Sequence, residues 1–318
     1  MKLISWSKDR ISELVQLWNK EIGQYFPMRE ELFGQNSFAD TNVCYEASQI
    51  AVNAENKTIG FIVAKKWQDE IEVGLPANTG WIQVLLVHHN YRHQGVGKAL
   101  LAHTENTFKQ SGVTRIILGQ DVWHYFPGIP SVLQQTSAWF EHQGYQANGK
   151  AFDLLSSYTA LSYPKPNKPG VELSLLKKEE KSSLLTFLNR CFPGRWEYEA
   201  IQYFKHGGTG REFVVLKKNQ HIIGFCRIND ASSPIIAQNV YWSPLFNEAL
   251  GGIGPLGVDE QERGNGYGKM VVQAGIHYLR ERGINRIVID WTGLVNFYKQ
   301  LDYGVWKSYW YYVKDLVK

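Results

Sequence analysis

The chain has little cysteine. Its three, Cys44, Cys191 and Cys226, stand far apart, with no C-x-x-C pair and no histidine at metal-ligand spacing. That excludes a cysteine-based metal site and leaves structural thiols as the expectation. Charge of one sign is also scarce: 34 Lys and Arg against 30 Asp and Glu give +4, with no basic block. This balance suits a small polyanionic ligand and argues against a nucleic-acid partner. No stretch is apolar for long enough to span a bilayer, and Met1 to Arg10 lacks the apolar run of a secretory signal. The reading therefore expects no membrane partner and a cytoplasmic protein.

What the chain does contain, it contains twice. Arg92-His93-Gln94-Gly95-Val96-Gly97-Lys98 recurs as Arg263-Gly264-Asn265-Gly266-Tyr267-Gly268-Lys269, an offset of 171 (263 − 92). Downstream, Gly112-Val113-Thr114-Arg115-Ile116-Ile117 matches Gly283-Ile284-Asn285-Arg286-Ile287-Val288, and 283 − 112 is again 171. A loop, a helix of equal length and a following strand held in one register indicate two copies of one domain. Tyr163 to Gly170, polar and rich in proline, reads as the linker. The expected organisation is a first domain over 1–162, a linker over 163–170 and a second domain over 171–318.

Both copies show the same order of elements. Helical spacing over Ile11–Trp18 and Leu184–Phe192 is followed by strand pairs, Gln49–Val52 with Thr58–Ala64 and Glu212–Leu216 with His221–Arg227. Apolar strands Trp81–Val87 and Ile253–Val258 then feed the glycine loops. Behind each loop lies an amphipathic helix, then strands Arg115–Leu118 and Arg286–Ile289. Alternation over Trp306, Tyr309, Tyr311 and Val313 fits a final, seventh strand.

A strand running into a glycine turn and a helix gathers backbone N–H groups at the positive end of the helix, which suits phosphate oxygens. A P-loop needs Ser or Thr after its lysine, whereas Ala99 and Met270 stand there. A dinucleotide fold wants its loop after the first strand and an acidic residue about 20 positions on, which neither copy offers.

The loop sequences resemble the Arg/Gln-x-x-Gly-x-Gly/Ala acyl-coenzyme A signature of the GCN5-related N-acetyltransferase (GNAT) superfamily, and the likeness extends over most of both copies. The resemblance implies an α/β (α+β) fold class: two tandem GNAT-like acyl-CoA N-acyltransferase domains, each a mixed, mostly antiparallel sheet flanked by helices. It implies acetyl-CoA as cofactor, held by Arg92 to Lys98 and Arg263 to Lys269, with Leu85, Leu86 and Val87 and Leu256, Gly257 and Val258 along its pantetheine arm. It also implies transfer of the acetyl group to an amine, directly, without metal.

Many family members carry a tyrosine acid in a Phe-Tyr-x-x-x-Gly-Phe segment. Phe297-Tyr298-Lys299-Gln300-Leu301-Asp302-Tyr303 resembles it, whereas the first copy has Phe140, which cannot donate a proton. The expectation is a catalytic second copy with Tyr298 as acid, and Glu248, ahead of the strand entering the second loop, as base. Glu260 and Glu262 are further carboxylates, and Asp290 could orient substrate beside Trp291 as a pocket wall. Trp196, Trp291, Trp306 and Trp310 hint at an apolar acceptor site. The offset falls to 158 between Phe140 and Tyr298 (298 − 140), so the first copy holds 13 extra residues (171 − 158) around Gln120 to Pro130. They could form a specificity lid or a plug, and Tyr125 or His124 could stand in for the missing tyrosine. His88, His89 and His93 read as surface or phosphate-adjacent residues. The expected partner is a small-molecule amine, with the chain a monomer of pseudo-twofold domains or a homodimer. The competing readings are a non-catalytic coenzyme A binding module and an enzyme acting on a protein or peptide amine.

Overall fold

The computed structural model describes residues 1–160 and 162–316. They divide into two compact units, one comprising Met1–Glu70, Pro76–Ala151 and the C-terminal segment from Lys307, the other Ile71–Leu75 and Phe152–Trp306.

In the first unit the chain forms β1 (Lys2–Ser5), α1 (Ile11–Ile22), α2 (Glu30–Ser37), β2 (Gln49–Val52), β3 (Thr58–Lys66), β4 (Thr79–Val87), α3 (Val96–Gln110), β5 (Arg115–Leu118), β6 (Ile129–Pro130) and α4 (Gln134–His142). The strand β7 (Gln146–Ser157) leaves it for the second unit. There follow β8 (Glu172–Leu175), α5 (Lys181–Cys191), α6 (Arg195–Lys205), β9 (Phe213–Lys218), β10 (His221–Asn229), β11 (Leu250–Val258), α7 (Tyr267–Glu281), β12 (Arg286–Thr292) and α8 (Val295–Lys299), and then β13 (Gly304–Asp315).

Strand order in the first unit is β1-β2-β3-β4-β5-β13, and in the second β8-β9-β10-β11-β12-β7. Every neighbouring pair in these two series is antiparallel except β4 with β5 and β11 with β12. Each sheet is thus mixed and mostly antiparallel, with helices against it. The β9–β10 turn places Asn219 and Gln220 at φ 49° and 67°, a left-handed pair that suits the right-handed twist of a hairpin. The helices α3 and α7 each bury one stripe on their own unit's sheet: Val96, Leu100, Leu101, Thr104 and Phe108 in α3, and Val271, Val272, Gly275 and Leu279 in α7.

The final strands are exchanged. β13 pairs with β5, Val313 opposite Ile117, although it follows the second copy in sequence. The far half of β7 pairs with β12, Leu154 opposite Ile289, although it closes the first copy. The compact units therefore differ from a linear division at 1–162 and 171–318. Alternation along a strand shows which face is apolar and not which sheet edge it joins, so the exchange carries no local signal.

In both units the parallel pairing stops early. β4 and β5 pair only from Thr79 and Arg115 to Ile82 and Leu118, while β4 runs on to Val87. β11 and β12 pair from Leu250 and Arg286 to Ile253 and Ile289, while β11 continues to Val258. A bulge in the splaying strand accompanies each opening: one step from Val63 to Ala64 on β3 faces two from Val84 to Ile82 on β4, and two from Cys226 to Ile228 on β10 face three from Leu256 to Ile253 on β11. The splayed strand ends leave main-chain groups facing a groove, and a cavity lies at each. No helix among the described residues is long and apolar enough to cross a membrane.

Candidate active site

Each glycine loop ends on the residue that starts its helix. Gly95 and Gly266 have φ of 82° and 77°, left-handed values that a side chain strains, and they are the N-caps of α3 and α7. In the second loop the first helical bond is Met270 N–H to the Gly266 carbonyl, at 3.2 Å. The N–H groups of Tyr267, Gly268 and Lys269 are therefore orphan donors at the positive end of α7. Gly264 (φ 83°) is matched in the first loop by His93, which takes the same left-handed turn at φ 60°.

The two loop arginines differ. The Arg92 Nε donates to the Val87 carbonyl at 3.0 Å and its guanidinium is ion-paired with Glu21 of α1. Burial alone would raise Glu21, but hydrogen bonds from His89 and the charge of Arg92 outweigh it and hold the carboxyl low. His88, His89 and Glu21 cluster closely, and Lys20 Nζ lies 3.0 Å from His88 Nε2. Cations thus crowd this cluster. Arg263 is exposed and makes no side-chain hydrogen bond among the described residues. Beside it Lys168 donates to the Asn265 carbonyl at 2.8 Å and lies over the Tyr267 ring at 4.9 Å.

In the second unit a cavity of about 200 Å³ opens against the unpaired edge of β11. Its wall includes Gly254, Pro255 and Leu256 from β11, Asp290, Trp291 and Thr292 from the end of β12, Arg195, Trp196 and Glu199 from α6, and Tyr298 from α8. Tyr298 is 4% exposed, and burial pushes its phenol well above the ordinary range, so it keeps its proton. Asp302 makes the turn after α8 at φ 64°, in place of the family glycine.

Asp290 shares this wall with Tyr298, Arg195 and Glu199. Removal from bulk water, reinforced by the negative charges of Asp153 and Glu199 and opposed by Arg195, pushes its carboxyl up to about 7. Asn239 Nδ2 donates to Asp290 Oδ1 at 3.1 Å, and Asn229 Nδ2 donates to Asn239 Oδ1 at 3.2 Å. The chain of amides fixes which end of Asn239 meets the carboxylate. Arg195 pairs with Glu199 at 2.7 Å and stacks on the Trp291 ring at 4.7 Å.

Glu248 is not at this site, which corrects the expectation for a base. It is exposed and paired with Arg286 at 2.7 Å, at the start of the parallel pair, whereas the cavity lies at the carboxyl ends of those strands. Glu262 pairs with Lys218 at 2.9 Å and Glu260 is exposed. Of the four tryptophans, Trp196 and Trp291 line the cavity, Trp306 packs on Phe246 and Trp310 belongs to the first unit.

The first repeat keeps the groove and loses the rest. Its cavity of about 340 Å³ runs along Leu85, Leu86 and Val87 to Arg92, His93, Gly95, Gly97 and Lys98, with Trp139 and Phe140 opposite. The extra segment folds inward as a plug. Tyr125 meets Trp18 and Phe33 at ring distances of 5.0 and 6.0 Å, and Phe126 meets Phe26 at 4.7 Å. The Tyr125 hydroxyl lies 2.8 Å from Ser37 Oγ, and His124 Nδ1 lies 3.0 Å from the Asp121 carbonyl, both residues buried. Beneath them Lys65 Nζ is held at 2.8 Å from Asp40 and 2.6 Å from Asp121, all three out of solvent.

The repeat offset itself identifies the residue that sequence reasoning undervalued. Asp290 stands opposite Gly119, since 290 − 119 is 171. A Cβ at Gly119 would lie 2.1 Å from the Phe126 carbonyl oxygen, so the plug forbids any side chain there. The next pair, Trp291 and Gln120, share a left-handed backbone at φ 43° and 63°.

Comparison with known proteins agrees with this architecture. The mycothiol acetyltransferase of Thermobispora bispora is 32% identical over 245 residues, 70% of this chain and 72% of that protein. That of Renibacterium salmoninarum is 23% identical over 238 residues, 70% of this chain but 64% of the relative, so the chain matches under two thirds of that protein's length. Among solved structures, the GCN5-related glucosamine N-acetyltransferase region of a fungal multi-domain GH3 β-N-acetylglucosaminidase superposes with a TM-score of 0.87 at 22% identity, over 98% of this chain and 38% of that one, a likeness of fold. The Acetyltransferase (GNAT) family model matches residues 12–126 and again 181–303. Two such domains in one chain, each with the glycine loop and the splayed strand, make this protein a tandem member of the GNAT family.

Proposed function

We propose that the second repeat transfers the acetyl group of acetyl-CoA to a primary amine of a small molecule, directly and within a ternary complex. The observation that carries this reading is the presence of Asp290 and Tyr298 on one cavity beside the unpaired edge of β11. The cradle fits a diphosphate: orphan N–H donors at the start of α7, left-handed glycines and exposed Arg263. Residues Arg263 to Lys269 would hold the diphosphate, and the main chain of Leu256, Gly257 and Val258 the pantetheine arm. When bound, acetyl-CoA supplies the thioester whose C–S bond breaks as the new C–N bond forms.

The chain's own groups manage the protons. An incoming ammonium has no lone pair, and Asp290, titrating near neutrality, accepts its proton. Tyr298, protonated throughout the working range, donates to the departing sulfur. Around the cavity Asp153, Glu199 and Asp290 are set against Arg195 and the buried Arg227 beside Glu199, a balance that turns net negative as Asp290 ionises and then favours a cationic acceptor. The mycothiol acetyltransferase relatives support a small-molecule substrate. The first repeat has Phe140 for the acid, Gly119 for the base and a plug for the acceptor volume, and we read it as non-catalytic, with a groove shaped for the same cofactor.

Labelled acetyl-CoA incubated with a panel of primary amines is expected to yield equimolar acetylated amine and free coenzyme A. Tyr298→Phe is expected to lower kcat by about 10- to 100-fold, because the thiolate, whose acid has a pKa near 8.5, then departs without a donor. Its hydroxyl makes no hydrogen bond among the described residues, so stability holds. Tyr125→Phe in the plug leaves turnover unchanged. Equal turnover in Y298F and the parent overturns the assignment of the acid. Coenzyme A uptake by calorimetry without transfer to any amine favours the binding-module reading.

A further inference from the structure

Part of the second repeat's acceptor site is encoded in the first. Asp153 lies on β7, which closes the first copy in sequence but pairs with β12 in space, Phe152 opposite Thr292. It is 5% exposed, and its Oδ1 accepts the Trp291 N–H at 3.0 Å. Trp291 is held there in a left-handed conformation, φ 43°, that a bulky residue adopts only under constraint. The register between β7 and β12 shifts across this same stretch, between Ile289 and Thr292. The Trp291 ring carries Arg195 on its face and walls the cavity, and Asp290 is its immediate neighbour.

We propose that Asp153 is a positioning residue for the transfer, anchoring the Trp291 main chain so that the strand end kinks and presents Asp290 to the acceptor cavity. A strand running on without the kink would alternate its side chains straight past this point. The anchor is a carboxylate rather than an amide, and that choice has an electrostatic consequence for Asp290. The groups facing Asp290 are Asp153 on β7, Glu199 and Arg195 on α6, Asn239 in the short 3-10 helix Gln238–Val240 between β10 and β11, Tyr298 on α8 and the Gly254 main chain of β11. Of these Asp153 contributes the largest charge effect, keeping the Asp290 carboxyl high enough to exchange its proton near neutrality.

The proposal rests on Asp290 being the proton acceptor, and two readouts on the full chain separate one from the other. Asp153→Asn keeps an oxygen for the Trp291 N–H and removes the charge; Asp153→Ala removes both. In each the acid limb of the kcat/KM profile for acetyl transfer is expected to move to lower pH by about 0.5–1 unit. Asp153→Ala is also expected to lower the plateau by about tenfold, as the wall loses its anchor. The second readout is the pH dependence of unfolding, in which the fall in stability toward neutral pH becomes shallower in both variants. A plateau unchanged in Asp153→Ala overturns the anchoring role, a limb and a stability slope unmoved in Asp153→Asn overturn the charge effect on Asp290, and this isosteric variant answers the second question even if Asp153→Ala does not fold. If Asp290→Asn instead retains full turnover, the proton-acceptor role falls, while a slope change in Asp153→Asn that shrinks when the same substitution is made in the Asp290→Asn background still shows Asp153 acting on Asp290.

Discussion

Asp290→Asn lowers kcat/KM for acetyl transfer by about 100- to 10,000-fold, the usual worth of a positioned base. The amide keeps an oxygen for Asn239 and cannot take a proton from the ammonium. In the parent the rate rises with pH through about 7, because Asp290 works only when ionised and titrates there. The variant loses that limb. Initial rates measured from about pH 5 to pH 9 check both statements, and a parental limb in the variant refutes the assignment.

The same substitution acts on stability in the opposite sense. A carboxyl near 3.8 when unfolded and about 7 when folded binds more protons in the native state between those values. Stability therefore falls as pH rises across that window and stays reduced above it. Removing the titration makes Asp290→Asn more stable than the parent by roughly 2–4 kcal/mol at alkaline pH, with no difference at acid pH, where both chains carry a neutral group. Urea denaturation on either side of the window measures it. A site that is stabilised by losing its catalytic group is one that holds that group against its preference.

Lys65→Met is expected to destabilise the chain by about 3–5 kcal/mol at neutral pH. The methionine matches the stem of lysine, so packing changes little, but Asp40 and Asp121 are left facing each other out of solvent. In the parent, burial alone would depress the Lys65 ammonium, and the two carboxylates more than reverse that. Asp121 opens the plug, so the loss is expected to reach the aromatic cluster of Tyr125 and Phe126 first and to appear as a change in tryptophan fluorescence from Trp18. Replacing all three polar residues with apolar ones restores most of the stability, since an unpaired charge costs more than an absent one. A neutral effect of Lys65→Met in denaturation shows that the triad is solvated.

The fold was legible where the signal is local. Gly95 and Gly266 mark left-handed caps that composition alone reveals, and the strands Gln49–Val52 and Arg115–Leu118 fall where alternation and turn residues put them. The Tyr298 position followed from its motif and lies on the cavity. The proposed proton acceptor was hidden for a physical reason. The raised carboxyl of Asp290 depends on Asp153, Glu199 and Asn239, none within 50 residues of it in the chain. Glu248 was favoured because it precedes the strand lining the site, but it lies before the start of β11 at Leu250, and from there to Gly254 the extended chain already spans roughly 13 Å. Direction along a strand decides reach, and nearness in sequence does not. The extra segment of the first copy showed its aromatic content plainly, and only packing could tell inward from outward.

The exchange of β7 and β13 sets a condition on synthesis. The unit built from the first half of the chain has β5 unpartnered on one side until β13 has been made. On the ribosome its sheet waits with an open edge while the second repeat is translated, and a nascent edge is a template for wrong pairing. The strand β13, made after both repeats, is thus the one that completes the unit begun first, so the earlier half of the fold matures only after the later half has been synthesised.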